Sequence, residues 1–237
     1  MKNSENKSKV RARVLLVDDH PLVRSGLMEM INRHGDLVCC GEADSAADAQ
    51  RAVAELKPDL VLLDLRLRSG DGLELVKIFK SQFPSLKVLI LSQLDEMTYA
   101  ERVLRAGAMG YVMKENATKD ILSAIRTVLA GEYYVSQKVN GLAVRRMAGT
   151  KKADADDDPA SAVEKLTDRE LQVLQLLGRG LGTKKIAAVL CLSFKTIETH
   201  RENIKRKLGL RGAAALVHFA TLWIRNESGL KAENTAE

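Results

Sequence analysis

The first half of this chain alternates short apolar runs with longer amphipathic stretches, and few architectures accept that alternation. Arg13–Val17, Leu37–Cys40, Asp59–Asp64, Lys87–Leu91 and Gly110–Met113 are rich in Val, Leu and Ile, as strands buried on both faces must be. The stretches between them carry apolar residues at helical spacing. Pro21 suits the first turn of a helix through Arg33, whose apolar face is read as Leu22, Leu27, Met30 and Ile31. Further helices are expected over 45–56, 73–79, 95–105 and 118–129. Strand–helix alternation with short connections implies a parallel sheet covered on both faces. The expected fold of this half is therefore α/β, a doubly wound five-stranded parallel sheet.

The polar residues that end these strands form a second pattern. The first strand delivers Asp18 and Asp19, the third Asp64, the fourth Ser92 and the fifth Lys114. In a parallel sheet all five emerge at one edge, where α/β proteins bind ligands and carry out chemistry. Taken singly, each has an ordinary explanation as a cap or a solvated loop residue. Together they put three carboxylates side by side, a costly arrangement without a neutralising cation. Oxygen donors of this kind suit Mg²⁺. A hydroxyl and an ammonium beside them are what the oxygens of an incoming phosphoryl group require.

With those residues in place, Val14 to Leu129 resembles the receiver domain of bacterial two-component response regulators. The segment Val17-Asp18-Asp19-His20-Pro21-Leu22-Val23-Arg24-Ser25-Gly26-Leu27 is especially similar to the NarL/FixJ subfamily. The resemblance implies a flavodoxin-like fold with Asp64 as phosphoacceptor. It implies Mg²⁺ held by Asp18, Asp19, Asp64 and the backbone carbonyl of Arg66. Ser92 becomes the switch hydroxyl, Tyr111 the switch aromatic and Lys114 the lysine that pairs with the phosphoryl group. Two departures stand out: Leu67-Arg68 replaces a common Met-Pro, and Glu115 replaces a common proline after the lysine. Neither alters a charged or hydroxyl site residue. A phosphatase of the haloacid-dehalogenase type, which needs an acid two residues after its nucleophile, finds Arg66 there instead. No Gly-rich phosphate loop supports nucleotide binding. The expected catalysis is confined to Mg²⁺-dependent self-phosphorylation and slow autodephosphorylation.

After Val135 the apolar rhythm fades, and residues 136–161 read as a flexible linker that ends in an acidic cluster. From Ala162 the pattern is purely helical. Thr167 and Glu170 have the spacing of a capping box, Gly178 and Gly180 end that helix, Thr183 is expected to cap a short one, and Ser193 caps the next. Two helices joined by so short a turn make a small all-α helix-turn-helix domain over 162–226. Its 12 Lys and Arg against 5 Asp and Glu between Val163 and Asn226 leave a net charge of +7, whereas the whole chain carries +6. A basic helix-turn-helix beside a phosphorylatable domain points to DNA.

The spelling from Leu166-Thr167-x-Arg169-Glu170 to Ser193-x-x-Thr196-Ile197-Glu198-Thr199-His200, then Ile204 and Lys207-Leu208, resembles the LuxR-type output domain. The residues expected at DNA are Thr183, Lys184, Lys195, Thr196, Glu198, Thr199, Arg201, Glu202, Lys205 and Arg206. His200, on the flank of the buried face, reads as a packed histidine. The resemblance implies a sensor histidine kinase as phosphodonor, release and homodimerisation of the output domain on phosphorylation, and contact with RNA polymerase. A competing reading keeps the receiver as a protein-interaction switch whose output domain binds RNA or a polymerase subunit. The polar start, Met1 to Lys9, lacks the apolar core of a secretory signal, and no apolar run is long enough to span a membrane. Cys39, Cys40 and Cys191 lack metal-ligand spacing and read as reduced structural cysteines of a cytoplasmic protein. Residues 227–237 read as a disordered tail.

Overall fold

The computed structural model describes residues 11–67, 71–147, 162–163, 165–190 and 192–227. The chain divides into two compact units, Met1–Gly141 and Leu142–Glu237. The first is built on five strands, β1 (Ala12–Val17), β2 (Leu37–Ala43), β3 (Leu60–Leu63), β4 (Lys87–Ser92) and β5 (Gly110–Met113). They form one sheet in the order β2-β1-β3-β4-β5, with every pairing parallel. Five helices alternate with them: α1 (Pro21–Asn32), α2 (Ala46–Leu56), α3 (Gly72–Gln82), α4 (Glu96–Ala106) and α5 (Ala117–Leu129).

The strands are apolar on both sides because both sides are covered. Val14, Leu16, Leu60, Leu62, Leu89, Leu91 and Val112 pack with Leu27 and Ile31 of α1 and with Ile121, Ala124, Ile125 and Val128 of α5. The alternate residues, among them Leu15, Val17, Val61, Leu63 and Ile90, point the other way and are equally buried. α2, α3 and α4 bury Ala49, Val53, Leu75, Val76, Phe79 and Val103. Helix starts are fixed locally, with Ser45, Asp71 and Asp95 each accepting a hydrogen bond from an amide of the following turn.

Three local expectations change. Leu22 is 89% exposed and does not join the apolar face of α1. It stands about 140° around the helix from Leu27, so the two cannot share a face. β2 continues to Ala43, past the apolar run, because the sheet ladder persists through a register shift at Val14/Leu15. The linker expected from residue 136 instead begins with α6 (Gln137–Met147), and the Ser136 hydroxyl, which accepts the Val139 amide, is hydrogen-bonded to Glu96. Gln, Lys, Leu, Ala, Arg and Met in this stretch favour a helix even where no apolar stripe announces one. The remainder of that linker, 148–161, and the tail 228–237 lie outside the described residues, as does Cys191.

The second unit holds α7 (Asp168–Gly178), α8 (Thr183–Val189), α9 (Phe194–Lys207) and α10 (Ala213–Glu227). Its core collects Leu166, Leu171, Val173, Leu174, Leu177, Ile186, Ile197, Ile204, Leu216 and Ala220. α10 packs tightly on α7, and a Cβ at Gly178 would lie 2.4 Å from the Ala220 carbonyl oxygen. Glycine at that position sets how closely the two helices approach. Among the described residues no helix is long and apolar enough to cross a membrane.

Candidate functional site

The carboxyl ends of β1, β3, β4 and β5 bring Asp18, Asp64, Ser92 and Lys114 to one place. Asp18, Asp64 and Ser92 are buried, at 3%, 3% and 0% exposure. Lys114 Nζ lies 2.5 Å from Asp64 Oδ2 and 2.6 Å from Asp18 Oδ2. The Ser92 hydroxyl donates to Asp64 Oδ1 at 3.1 Å, and the Arg66 amide donates to the same oxygen at 3.0 Å. Burial pushes the Asp64 carboxyl above its ordinary value even against the pull of Lys114 and the Arg66 amide, with Asp18 adding to the rise. Burial also works against the Lys114 ammonium, but Asp64 and Asp18 outweigh it and hold that proton more firmly than in a free lysine. The Gly72 amide at the start of α3 donates to the Leu65 carbonyl at 3.3 Å. A Cβ at Gly72 would sit 2.5 Å from the Leu65 backbone, so glycine is required there.

Asp18, Asp19, His20 and Asp64 each offer one ligand atom, and these atoms lie within 4.8 Å of one another. An oxygen-rich, anionic donor set of this kind can hold a divalent cation. Two neighbours of the cluster escaped the sequence reading. His20 sets Nδ1 3.0 Å from Asp18 Oδ1 and 2.8 Å from Asp19 Oδ1. Arg24 donates to the Asp18 carbonyl at 2.6 Å and pairs with Glu42 of β2 at 3.0 Å, pinning the acidic turn to the neighbouring strand. Position after the acid pair was the only available signal for His20. Nothing local signals Arg24, whose acidic partner lies 18 residues away.

Tyr111 is 1% exposed, and its hydroxyl donates to the Leu94 carbonyl at 2.8 Å. After Lys114 the chain forms a 3-10 turn over Lys114–Asn116, with no cis peptide bond among the described residues.

In the second unit the capping box is present: Thr167 accepts the Glu170 amide, and Glu170 accepts the Thr167 amide. Glu170 is also buried against Lys207 at 2.6 Å. Burial raises its carboxyl, but the Lys207 and Thr167 donors outweigh that and bring it below the ordinary value. Ser193 caps α9 as expected, accepting the Thr196 amide at 3.0 Å. Thr183 does not cap α8; Gly182 holds that position. The Thr183 hydroxyl reaches across to Glu198 at 2.9 Å, and Arg201, 16% exposed, folds back onto both. Of the residues expected at DNA, Lys184, Lys195, Thr199, Glu202 and Arg206 are exposed, and Lys205 is paired with Glu202 at 2.8 Å. Thr183, Glu198 and Arg201 form a polar link between α8 and α9.

Two family models match. Residues 14–126 match the response regulator receiver domain, and residues 164–220 match the bacterial regulatory proteins of the luxR family. The oxygen regulatory protein NreC of Staphylococcus aureus is 36% identical over 211 residues, which cover 88% of this chain and 96% of that protein. Among solved structures, RcsB of Salmonella enterica serovar Typhimurium, bound to a promoter in the presence of the phosphomimetic BeF3-, superposes with a TM-score of 0.69. It shares 26% identity and covers 90% of this chain and 99% of its own. A LuxR-family response regulator from Aurantimonas gives a TM-score of 0.54 at 33% identity, over 58% of this chain and 99% of that one.

Proposed function

Because the chain belongs to the response regulators that join a receiver domain to a luxR-type DNA-binding domain, we propose that Asp64 accepts a phosphoryl group from a sensor histidine kinase and that this controls DNA binding by the second domain. The observation that carries this reading is the convergence of four strand ends on one buried carboxylate. Ser92 and Lys114 already reach Asp64, at 3.1 and 2.5 Å, and are the donors that the oxygens of an incoming phosphoryl group would meet. Asp18, Asp19, Asp64 and the Arg66 carbonyl would hold Mg²⁺, which when bound neutralises charge on the transferring group. Lys114 sits on a flexible stem and can follow negative charge from the carboxylate to the phosphoryl oxygens. Arg24 keeps the acidic turn in register while this happens.

The second domain reads DNA with α9 in the major groove. Lys195 and Arg206 on the exposed side of α9, and the exposed Lys184 of α8, would meet phosphates, while Thr199 and Glu202 would face base edges. Phosphorylation frees this domain and pairs it with a second copy, so that two half-sites are read together. Contact with RNA polymerase then follows at the promoter. The protein works in the cytoplasm, where kinase, promoter and polymerase meet.

The test is intact-mass analysis after incubation with acetyl phosphate. The wild type should gain one phosphoryl group with Mg²⁺ present, and lose that gain with chelator. Equal labelling of an Asp64→Asn variant would sink the assignment.

A further inference from the structure

His20 occupies the N-cap position of α1, yet its side chain makes no capping bond. N-cap positions favour Ser, Thr, Asp and Asn, so helix chemistry does not account for an imidazole here. The backbone does. The His20 amide donates to Asp18 Oδ1 at 2.9 Å, and Pro21 fixes the chain direction immediately after it. These two constraints turn the ring back over the acidic turn. Its Nδ1 comes to 3.0 Å from Asp18 Oδ1 and 2.8 Å from Asp19 Oδ1. Adjacent ligands about 2.1 Å from a shared octahedral ion stand roughly 3.0 Å apart, so both separations are those of neighbouring ligands on one ion. The side chain is 54% exposed, so the ring can adjust to an ion without repacking the core.

We propose that His20 is a nitrogen ligand of this cation site and tunes it towards borderline first-row dications of the Mn²⁺, Fe²⁺ and Co²⁺ class relative to Mg²⁺. The inference rests on the reading of Asp18, Asp19 and Asp64 as a cation site. Carboxylates and carbonyls alone suit Mg²⁺, which binds imidazole poorly. Adding one imidazole shifts a site towards ions that accept nitrogen. The cation this receiver takes up is then set by a residue outside the carboxylate cluster.

The test titrates the full chain separately with Mg²⁺ and with Co²⁺ by calorimetry, reading the Co²⁺ visible absorption band in parallel. Wild type, His20→Ala and Asp19→Asn are compared. Mg²⁺ should displace the bound Co²⁺, and Asp19→Asn should abolish the band, which together locate the ion in the acidic cluster. In His20→Ala the ratio of Co²⁺ to Mg²⁺ affinity should fall roughly tenfold or more, at least what loss of a supporting group costs a metal site. The Co²⁺ band should also shift as nitrogen leaves the coordination sphere. An unchanged ratio with an unchanged band would overturn the proposal and leave His20 as a hydrogen-bonding neighbour of the carboxylates. Failure of the wild type to bind either ion would overturn the cation-site reading and this inference with it.

Discussion

Replacing Asp64 by Asn removes one charge from the acidic cluster and keeps its shape, and the outcome depends on which of two opposed effects is larger. Asn Oδ1 can still accept the Arg66 amide and the Ser92 hydroxyl, which now lie 3.0 and 3.1 Å from Asp64 Oδ1. Lys114 keeps Asp18 as a partner at 2.6 Å. What disappears is the Lys114–Asp64 ion pair at 2.5 Å on one side and the burial of a second carboxylate beside Asp18 on the other. The Asp64 carboxyl is held above its ordinary value, burial being the largest cause, so the ionised form costs stability even with Lys114 beside it. For a raised carboxyl, the stabilising contribution is complete below the unfolded pKa and is lost as pH rises through the folded one. At neutral pH the wild type therefore carries a cost that Asp64→Asn escapes.

Escaping the burial of one incompletely compensated carboxylate is worth about 1–3 kcal/mol. At roughly 4 °C per kcal/mol for a unit of this size, the receiver transition should rise by about 4–12 °C. Scanning calorimetry of the full chain in chelator checks this, with the gap shrinking as pH falls and Asp64 protonates. Mg²⁺ at a hundredfold excess over its dissociation constant should add about 2.7 kcal/mol to the wild type and much less to the variant. A variant less stable than wild type in chelator, or a gap that widens in acid, would refute the reasoning. Either result would mean that the Lys114 attraction outweighs burial.

Lys207→Met should cost the second domain about 1.5–3 kcal/mol at neutral pH, since it leaves Glu170 buried without its ammonium. Because the Glu170 carboxyl is depressed, its stabilising contribution is present above the unfolded pKa and fades as pH falls through the folded one, so this loss should shrink in acid. Urea unfolding followed through Trp223, the single tryptophan, reads both, and a pH-independent loss would assign the effect to packing instead. Glu198→Ala should lower affinity for all DNA sequences alike, because it cuts the link from α9 to Thr183. Fluorescence anisotropy on single-base-pair variants of a bound site decides this, since lost preference at one base pair would make Glu198 a base reader. Lys195→Ala should also weaken all sequences, but it should make the salt dependence shallower by about one, which Glu198→Ala should not.

The sheet and its acidic edge were legible in the sequence because each rests on a local rule. Burial on both faces writes itself into every residue of β3, and parallel connection sends each strand's last polar residue to the same edge. Asp18, Asp64, Ser92 and Lys114 could thus be gathered without knowing any distance. Capping is equally local, which is why Thr167 with Glu170 and Ser193 with Thr196 could be read directly. The tertiary structure decided whatever depends on partners far along the chain. Thr183 leaves its helix start to reach Glu198, 15 residues on, and Ser136 is tied to Glu96, 40 residues back. Lys207 finds Glu170 across 37 residues, and Tyr111 finds the Leu94 carbonyl across 17. A side chain with several possible hydrogen-bond partners takes the one that packing brings within about 3 Å, and periodicity in sequence carries no record of that distance.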